Sequence, residues 1–273
     1  MGEEVAEKTL PIKCIPVGLN GEQTQFAAMS DTPLTPRAEP TLSEVQLNLL
    51  GWLRRDKPNI FLTGRAGTGK TTLMRELLRQ AGNKAAVLAP TGVAAMQAGG
   101  QTIHSFFHLP PRVITGRDIR KVRHSRVVKA LETLVIDEIS MVRSDMMWAI
   151  DQSLRLNREC NEPFGGVQMV IVGDLAQLPP VVQGGEAEYL ETTHGGPFFF
   201  NPQCFREAGF ALVELEEVFR QTDEDFIHLL NVVREGDVRA DEAERLNERV
   251  TGRSGLEASL SHVVLTATNE TAF

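Results

Sequence analysis

The stretch "NIFLTGRAGTGKTTLMRELLRQA", residues 59–81, decides the fold. An apolar run leads directly into a glycine-rich segment, and an amphipathic helical pattern follows at once. Residues 64–71, "GRAGTGKT", fit the pattern GxxxxGK[ST], in which backbone N–H groups and a helix N-terminus surround phosphate groups. A glycine-rich turn without a ligand is the alternative, but the flanking strand and helix are the context that the phosphate motif requires. The sequence therefore predicts a nucleotide phosphate site here.

Each residue type in this loop has an expected role. Lys70 is expected to reach the β and γ phosphates of ATP, and the Thr71 hydroxyl is expected to hold Mg²⁺. The predicted nucleotide-binding residues of the loop are Gly64, Ala66, Gly67, Thr68, Gly69, Lys70, Thr71 and Thr72.

Short apolar runs alternate with helix-like segments, at residues 59–63, 85–89, 133–137 and 167–174. Continuous Val, Ile and Leu runs suit strands buried on both faces of a parallel sheet, with helices as right-handed crossovers. The sequence therefore predicts an α/β fold, a parallel sheet sandwiched by helices. Further strands are predicted within 210–219 and 262–269. An amphipathic helix is predicted to begin where Thr41 and Glu44 have capping-box spacing.

Two of the predicted strands end in polar residues. Asp137 and Glu138 close the run 133–137; Asp137 is expected to bind Mg²⁺ through water, and Glu138 to position or deprotonate the attacking water. The run 167–174 is predicted to lie beside it in the sheet, because ligand groups gather at the carboxyl ends of parallel strands. Gln177, just after that run, is then aimed at the γ-phosphate, and the prolines that follow stiffen the segment.

The charge balance limits the ways in which this chain could bind a polyanion. A formal net charge of −8 argues against binding nucleic acid by overall charge, so any such site must be a local patch. One candidate patch is a basic segment between the second and third apolar runs, in which Asp118 is the single acid. A solvated helix face is an equally open interpretation. Its cations are Arg112, Arg117, Arg120, Lys121, Arg123, Arg126 and Lys129.

The remaining composition is typical of an intracellular protein. The three cysteines, Cys14, Cys160 and Cys204, are far apart and form no CxxC pair, which predicts reduced thiols and no structural zinc. The acidic first ten residues do not fit a signal peptide, and no apolar run is long enough to span a bilayer. We therefore expect a soluble intracellular protein without membrane contacts.

With these motifs assembled, the chain resembles a superfamily-one DNA helicase of the PIF type (petite integration frequency), which is related to the RecD-like helicases. The matching stretches are "LSEVQLNLL", "NIFLTGRAGTGKTTL", "LAPTGVAAMQAGGQTIHSFF", "TLVIDEISMV", "FGGVQMVIVGDLAQLPPV" and "LEEVFRQTDEDFIHLLNVVREG". They cover about residues 42–236, and "GDLAQLPP" together with "GGQTIHSFF" is far more specific than the phosphate loop alone.

The resemblance implies an ATP- and Mg²⁺-dependent motor that moves 5′ to 3′ on single-stranded DNA and unwinds forked duplex DNA. It implies that Gln46 recognises adenine, that Gln177 couples the ATP state to DNA contacts, and that Arg220 reaches the γ-phosphate. It further implies a monomer acting in replication, repair, recombination or telomere maintenance. The implied location is the cytoplasm or nucleoid, or the nucleus or mitochondrion if the source is eukaryotic.

The resemblance also implies a DNA path. Pro90, Thr91 and Gly92 would line it, and His104 and Phe106 would follow, with exposed rings serving as stacking platforms for unpaired bases. Packing or helix capping is an equally open role for His104, and Phe107 is expected in the core. The basic segment lies where the family keeps strand-separating elements.

The expected organisation has three parts. Residues 1–40 are a flexible extension, 41–213 a RecA-like P-loop domain with a basic DNA-facing insertion around 108–130, and 214–273 the start of a truncated second RecA-like domain. Hydrolysis by this chain alone is expected to be weak, because only Arg220 remains of the arginines that a second lobe contributes. A RecD-like subunit of a nuclease or relaxase, or a nucleotide-dependent DNA-binding module with negligible turnover, stays open.

Overall fold

The computed structural model describes residues 42–217, 219 and 223–248. Six strands form one sheet in the order β3-β2-β4-β5-β1-β6, and every neighbouring pair is parallel. The predicted α/β fold with a parallel sheet between helices is thereby confirmed. The strands are β1 Ile60–Gly64, β2 Ala85–Ala89, β3 Gln101–Thr102, β4 Thr133–Ile136, β5 Gln168–Val172 and β6 Ala211–Leu215.

The helices of the first unit lie before, between and after the strands along the chain. The helices of the described ranges are α1 Glu44–Arg55, α2 Lys70–Ala81, α3 Gly92–Ala98, α4 Ile103–Phe107, α5 Ser125–Ala130, α6 Ser144–Arg158, α7 Glu186–His194, α8 Gln203–Ala208, α9 Glu224–Glu235 and α10 Ala240–Asn247. The chain divides between residues 222 and 223 into two compact units, and α9 and α10 belong to the second. No helix in the described ranges is long and apolar enough to cross a membrane.

The centre of the sheet explains why its strands read as continuous apolar runs. Every residue of β4 and β5 is buried, because helices cover both faces of the sheet. The two strands are neighbours, as predicted, and they pair from Thr133 opposite Gln168 to Ile136 opposite Ile171. The two buried polar side chains at the start of this pairing bond to each other, because the Thr133 hydroxyl donates to Gln168 Oε1 at 2.9 Å.

Several details differ from the sequence prediction. Helix α1 is capped by Ser43, whose hydroxyl accepts from Gln46 N, so the capping box is Ser43/Gln46 and the predicted Thr41/Glu44 box was wrong. The short strand β3 was not predicted, because two residues are too few to show a pattern. The predicted boundary between residues 213 and 214 falls inside β6, which pairs with β1. Residues 262–269 lie outside the described ranges.

Candidate functional site

The phosphate loop joins β1 to α2, and glycines make its path possible. Gly64 has a φ of +139°, and a Cβ there would lie 2.4 Å from Leu215 O of the neighbouring strand β6. Gly69, the N-cap of α2, has a φ of +81°. Both conformations are costly for residues with a side chain, so the glycines set the shape of the loop. The backbone of the loop therefore leads directly into the N-terminus of α2, as the GxxxxGK[ST] motif requires.

Side chains within the loop hold its geometry. Lys70 Nζ donates to Gly64 O at 2.5 Å and to Arg65 O at 2.9 Å, so its ammonium lies over the loop. The buried Thr68 hydroxyl also donates to Arg65 O, at 2.9 Å. Thr71 is exposed in the first turn of α2, which leaves its hydroxyl accessible at the helix N-terminus.

The acid pair lies at the carboxyl end of β4, between β2 and β5 in the sheet. Burial, followed by the negative charge of Glu138, raises the pKa of Asp137 to about 6, while the Lys70 ammonium acts in the opposite direction. Glu138 has a φ of +53°, a conformation that is rare for residues with a side chain and is often found at functional sites. The turn is held because Glu138 N donates to Asp137 Oδ1 at 3.0 Å.

These donors suit Mg²⁺. A carboxylate and a hydroxyl are hard oxygen ligands, and Mg²⁺ bound with a nucleotide usually takes one or two protein ligands, with phosphates and water completing the shell. No cluster of three or more His, Cys, Asp or Glu residues that could hold a metal occurs in the described ranges. Asp137 and Thr71 are thus a partial donor set that needs a phosphate ligand to complete it.

The segment after β5 turns sharply at the same edge of the sheet. Asp174 is buried; its Oδ1 accepts from Ala176 N at 3.0 Å, and its backbone oxygen accepts from Gln177 N at 3.1 Å. The carboxylate that follows the buried strand β5 therefore has a structural role, because Asp174 accepts the hydrogen bonds that hold the turn. Gln177 is exposed at the tip of that turn, on the edge that carries the phosphate loop.

A cavity of about 190 Å³ lies beside the phosphate loop, between the start of α1 and the end of β6. Gln46 lines it: Oε1 accepts from Ser43 N at 3.0 Å, and Nε2 lies 3.5 Å from Thr68 O. Phe219, which the sequence reasoning missed, lines it too. The amide of Phe219 donates to Gly67 O at 2.9 Å, and its ring is half exposed. Arg220 lies outside the described residues.

The predicted DNA residues fall into two groups. Thr91 is the N-cap of α3, and its hydroxyl accepts from Ala94 N at 3.2 Å; Pro90 and Gly92 flank it at the end of β2. Phe106 is only 5% exposed and packs edge-on against Phe107 at 4.9 Å. Its expected role as a stacking platform is contradicted, because a base cannot reach a ring buried in the core.

His104 is half buried on α4, next to charged groups of α6. Burial, then the charge of Arg143, lowers the pKa of its imidazole below the usual value. Arg143 itself forms a bidentate pair with the buried Asp145 and donates to Arg112 O at 3.0 Å. His104 therefore lies near Arg143, which contacts the basic segment, and we expect its imidazole to be neutral at pH 7.

The parallel sheet, the phosphate loop and the acid pair at its edge define a RecA-like P-loop nucleotide-binding domain. A family model described as PIF1-like helicase matches residues 52–244, more than half of the chain. The chain belongs to the PIF1-like helicase family.

Relatives and solved structures agree with this assignment. The chain is 35% identical over 234 residues to the ATP-dependent DNA helicase PIF1 of Rattus norvegicus, covering 84% of this chain and 34% of the relative. A structure of Pif1 from Bacteroides with ADP-AlF3 and single-stranded DNA superimposes with a TM-score of 0.72 at 43% identity, covering 77% of this chain and 50% of that one.

A second structure concerns DNA unwinding at forked double-stranded DNA by two coordinating Pif1 helicases. It superimposes with a TM-score of 0.73 at 44% identity, covering 77% of this chain and 52% of that chain. The chain thus spans about a third of the curated relative and about half of the solved chains.

Proposed function

We propose that this chain is the ATP-binding lobe of a DNA helicase that couples ATP hydrolysis to 5′-to-3′ movement along single-stranded DNA. The observation that carries the proposal is the meeting of the phosphate loop and the acid pair Asp137/Glu138 at one edge of the sheet, in a PIF1-like chain. The proposed site for the base is the cavity lined by Gln46, with the loop residues Gly64 to Thr72 around the phosphates.

In this proposal each residue at the edge has a separate task. Lys70 leaves its two carbonyl partners and pairs with the β and γ phosphates, a stronger, charge-assisted interaction. Thr71 and Asp137 would hold Mg²⁺, which neutralises charge that develops on the phosphates when it is bound. Because ionised Asp137 is disfavoured by burial and by Glu138, a cation beside it would stabilise the charged carboxylate.

Glu138 is the proposed base. Its carboxylate orients the attacking water and accepts a proton from it. Gln177, at the tip of the turn that Asp174 folds, would donate to the γ-phosphate and so distinguish ATP from ADP. Arg220 would stabilise the charge of the transition state.

The proposed DNA path runs over the N-terminus of α3. Pro90, Thr91 and Gly92 would contact phosphates through backbone amides, and His104 would lie farther along the path. The partners are single-stranded DNA and forked duplex DNA, with the protein acting as a monomer. The proposed cellular roles are repair, recombination, replication and telomere maintenance, in the nucleoid or cytoplasm, or in the nucleus or mitochondrion of a eukaryote.

We also propose that the domain boundaries have functional meaning. Residues 41–215, which include β6 and the insertion at 108–130, would form the first motor lobe, and the chain after β6 would begin a second RecA-like lobe. The residues of β6 that precede the second unit contribute to the sheet of the first, so the polypeptide itself would connect the two lobes.

The test is phosphate release by this chain with Mg²⁺, with and without single-stranded oligothymidine, beside the variant Lys70→Ala. We expect slow turnover that requires Mg²⁺, rises with DNA and disappears in the variant, because Lys70 contacts the transferred phosphate. Turnover that survives the variant would refute the assignment of the phosphate site. A chain that binds ATP and DNA but releases no phosphate would be a nucleotide-dependent binding module instead.

A further inference from the structure

The basic segment, residues 108–130, divides its cations into two classes. Three form ion pairs with neighbouring acids: Arg112 pairs with Asp118 at 2.7 Å, while Lys121 and Lys129 share the carboxylate of Glu159. The other four cations are exposed, and within the described part of the chain they form no ion pair. These four, which we name the arginine track, are Arg117, Arg120, Arg123 and Arg126.

Two buried hydrogen bonds hold the segment that carries the track against α6. Asp145 Oδ2, in the first turn of α6, accepts from Ile114 N at 2.8 Å. Asn157 Oδ1, in the last turn, accepts from Val122 N at 2.9 Å. The two anchors are about 18 Å apart along the helix axis, so the segment between them runs nearly the length of α6.

The same segment buries its apolar side chains and exposes its arginines. Ile114, Val122 and Val128 are buried at 0%, 4% and 0% exposure, so they fix which side of the segment meets the domain. The track residues recur at every third position between these three apolar residues and are exposed to solvent. Beyond Val122, Arg158 Nη1 donates to three backbone carbonyls, of Val128, Lys129 and Leu131. Hydrogen bonds and buried side chains therefore hold the backbone that carries the four arginines in place.

The chemistry of the segment favours phosphate over bases. Residues 108–130 contain no Phe, Tyr or Trp, the residues on which unpaired bases stack. The imidazoles of His108 and His124 contact each other edge to face at 5.6 Å, and His124 also packs against the buried Phe106. Guanidinium groups bind phosphate without any base contact, and the absence of aromatic rings in this segment favours a nucleic acid whose bases are already paired.

We propose that the arginine track binds the phosphate backbone of double-stranded DNA, at a site separate from the single-strand path over α3. This inference rests on the proposed function, since it assigns the duplex part of the substrate to the same lobe. An anion that binds along the track would contact four guanidinium groups within ten residues, whereas a solvated face would leave the affinity for DNA unchanged when they are removed.

The experiment measures binding of the whole chain, without nucleotide, to a labelled 20-base-pair blunt duplex and to a labelled 20-nucleotide oligothymidine by fluorescence anisotropy. The test variant is Arg117→Gln/Arg120→Gln/Arg123→Gln/Arg126→Gln. The matched control removes four exposed arginines from α1 and α2, so that the net charge changes equally; its positions are Arg54, Arg55, Arg75 and Arg79. Circular dichroism verifies that both variants are folded.

We expect the track variant to bind the duplex roughly tenfold or more weakly at about 100 mM salt, and the control to change far less. The slope of log Kd against log salt should fall by about 3 to 4 in the track variant, since each phosphate contact contributes about 0.9. Duplex binding equal to that of the wild type would overturn the inference. So would a loss confined to oligothymidine, which would make the track a single-strand site.

The outcome is separable from that of the proposed function. Duplex affinity is measured without ATP, and phosphate release is measured with Lys70 intact or replaced. If duplex binding depends on the track while no turnover is found, the track assignment stands and the motor assignment falls. If turnover depends on Lys70 while duplex affinity is the same in the track variant and the wild type, the motor assignment stands and the track assignment falls.

Discussion

The phosphate edge of the sheet and the arginine track are built in opposite ways. Each segment of the phosphate edge is shaped by its own backbone, through positive φ angles at Gly64, Gly69 and Glu138. The track depends on side chains that are 31 and 35 residues away from the amides they hold, Asp145 and Asn157. The stability of the phosphate edge should therefore fall when a substitution adds atoms, and that of the arginine track when a substitution removes a hydrogen bond.

The largest expected effect is chemical and belongs to the phosphate edge. Glu138→Gln keeps the size of the side chain but removes the base, so turnover should fall by about 10² to 10⁴ while ATP affinity is unchanged. Phosphate release and binding of a fluorescent ATP analogue measure the two quantities separately. Equal loss of both would show that Glu138 holds the loop rather than activating water.

The next effect tests the backbone geometry of the phosphate edge. Gly64→Ala places a Cβ 2.4 Å from Leu215 O at a φ of +139°, so β6 must move away from β1. We expect the free energy of unfolding to fall by about 3 kcal/mol, measured by urea denaturation.

Gly51→Ala is the matched control for that change. Gly51 lies inside α1, and a Cβ added there would meet no atom within 4 Å, so alanine should stabilise the helix by about 0.5 to 1 kcal/mol. Similar destabilisation at both positions would argue that Gly64 is not specifically constrained.

Asp137→Asn should raise the free energy of unfolding at pH 7 by about as much as Gly64→Ala lowers it. The pKa of Asp137 is raised from 3.8 to about 6, so its contribution to stability is present below about pH 4 and is lost as the pH rises through 6. Above that range the ionised carboxylate costs on the order of 3 kcal/mol, which asparagine avoids. Without Mg²⁺ at pH 7 the variant should therefore be more stable.

The pH series provides the check. Thermal midpoints of the two proteins should converge below about pH 4, where Asp137 is protonated in both folded and unfolded states. Asp56→Asn, at an exposed carboxylate after α1, is the control and should not shift the midpoint in this way. A less stable Asp137→Asn at pH 7 would mean that the charge is compensated within the fold.

The smallest effect tests the side-chain anchors of the track. Asn157→Ala leaves the buried Val122 N–H without its acceptor and removes two donated bonds, to Ser153 O and Arg120 O. We expect a loss of about 2 kcal/mol in urea denaturation and a weaker duplex affinity. Lys121→Gln, which breaks an exposed pair with Glu159, should leave the denaturation midpoint unchanged.

Much of the phosphate edge could be predicted because its signals are local. The loop 64–71 lies between a strand and a helix, and Asp137 and Glu138 follow an apolar run directly, so chain order alone places them at strand ends. The order β4-β5 also followed from the pattern. Phe219 was missed because its role depends on one long-range hydrogen bond, from its amide to Gly67 O, which no spacing encodes.

The amino-acid sequence by itself determined the α/β class, the phosphate loop and the acid pair, because short-range patterns fix strands, turns and the residues at their ends. Only the tertiary structure decided that Phe106 is core, that Ser43 caps α1, and which arginines of the basic segment keep their charge unpaired. Those outcomes depend on which distant side chains lie alongside, such as Glu159 beside Lys121 and Lys129. Packing, rather than local pattern, determines burial and ion pairing.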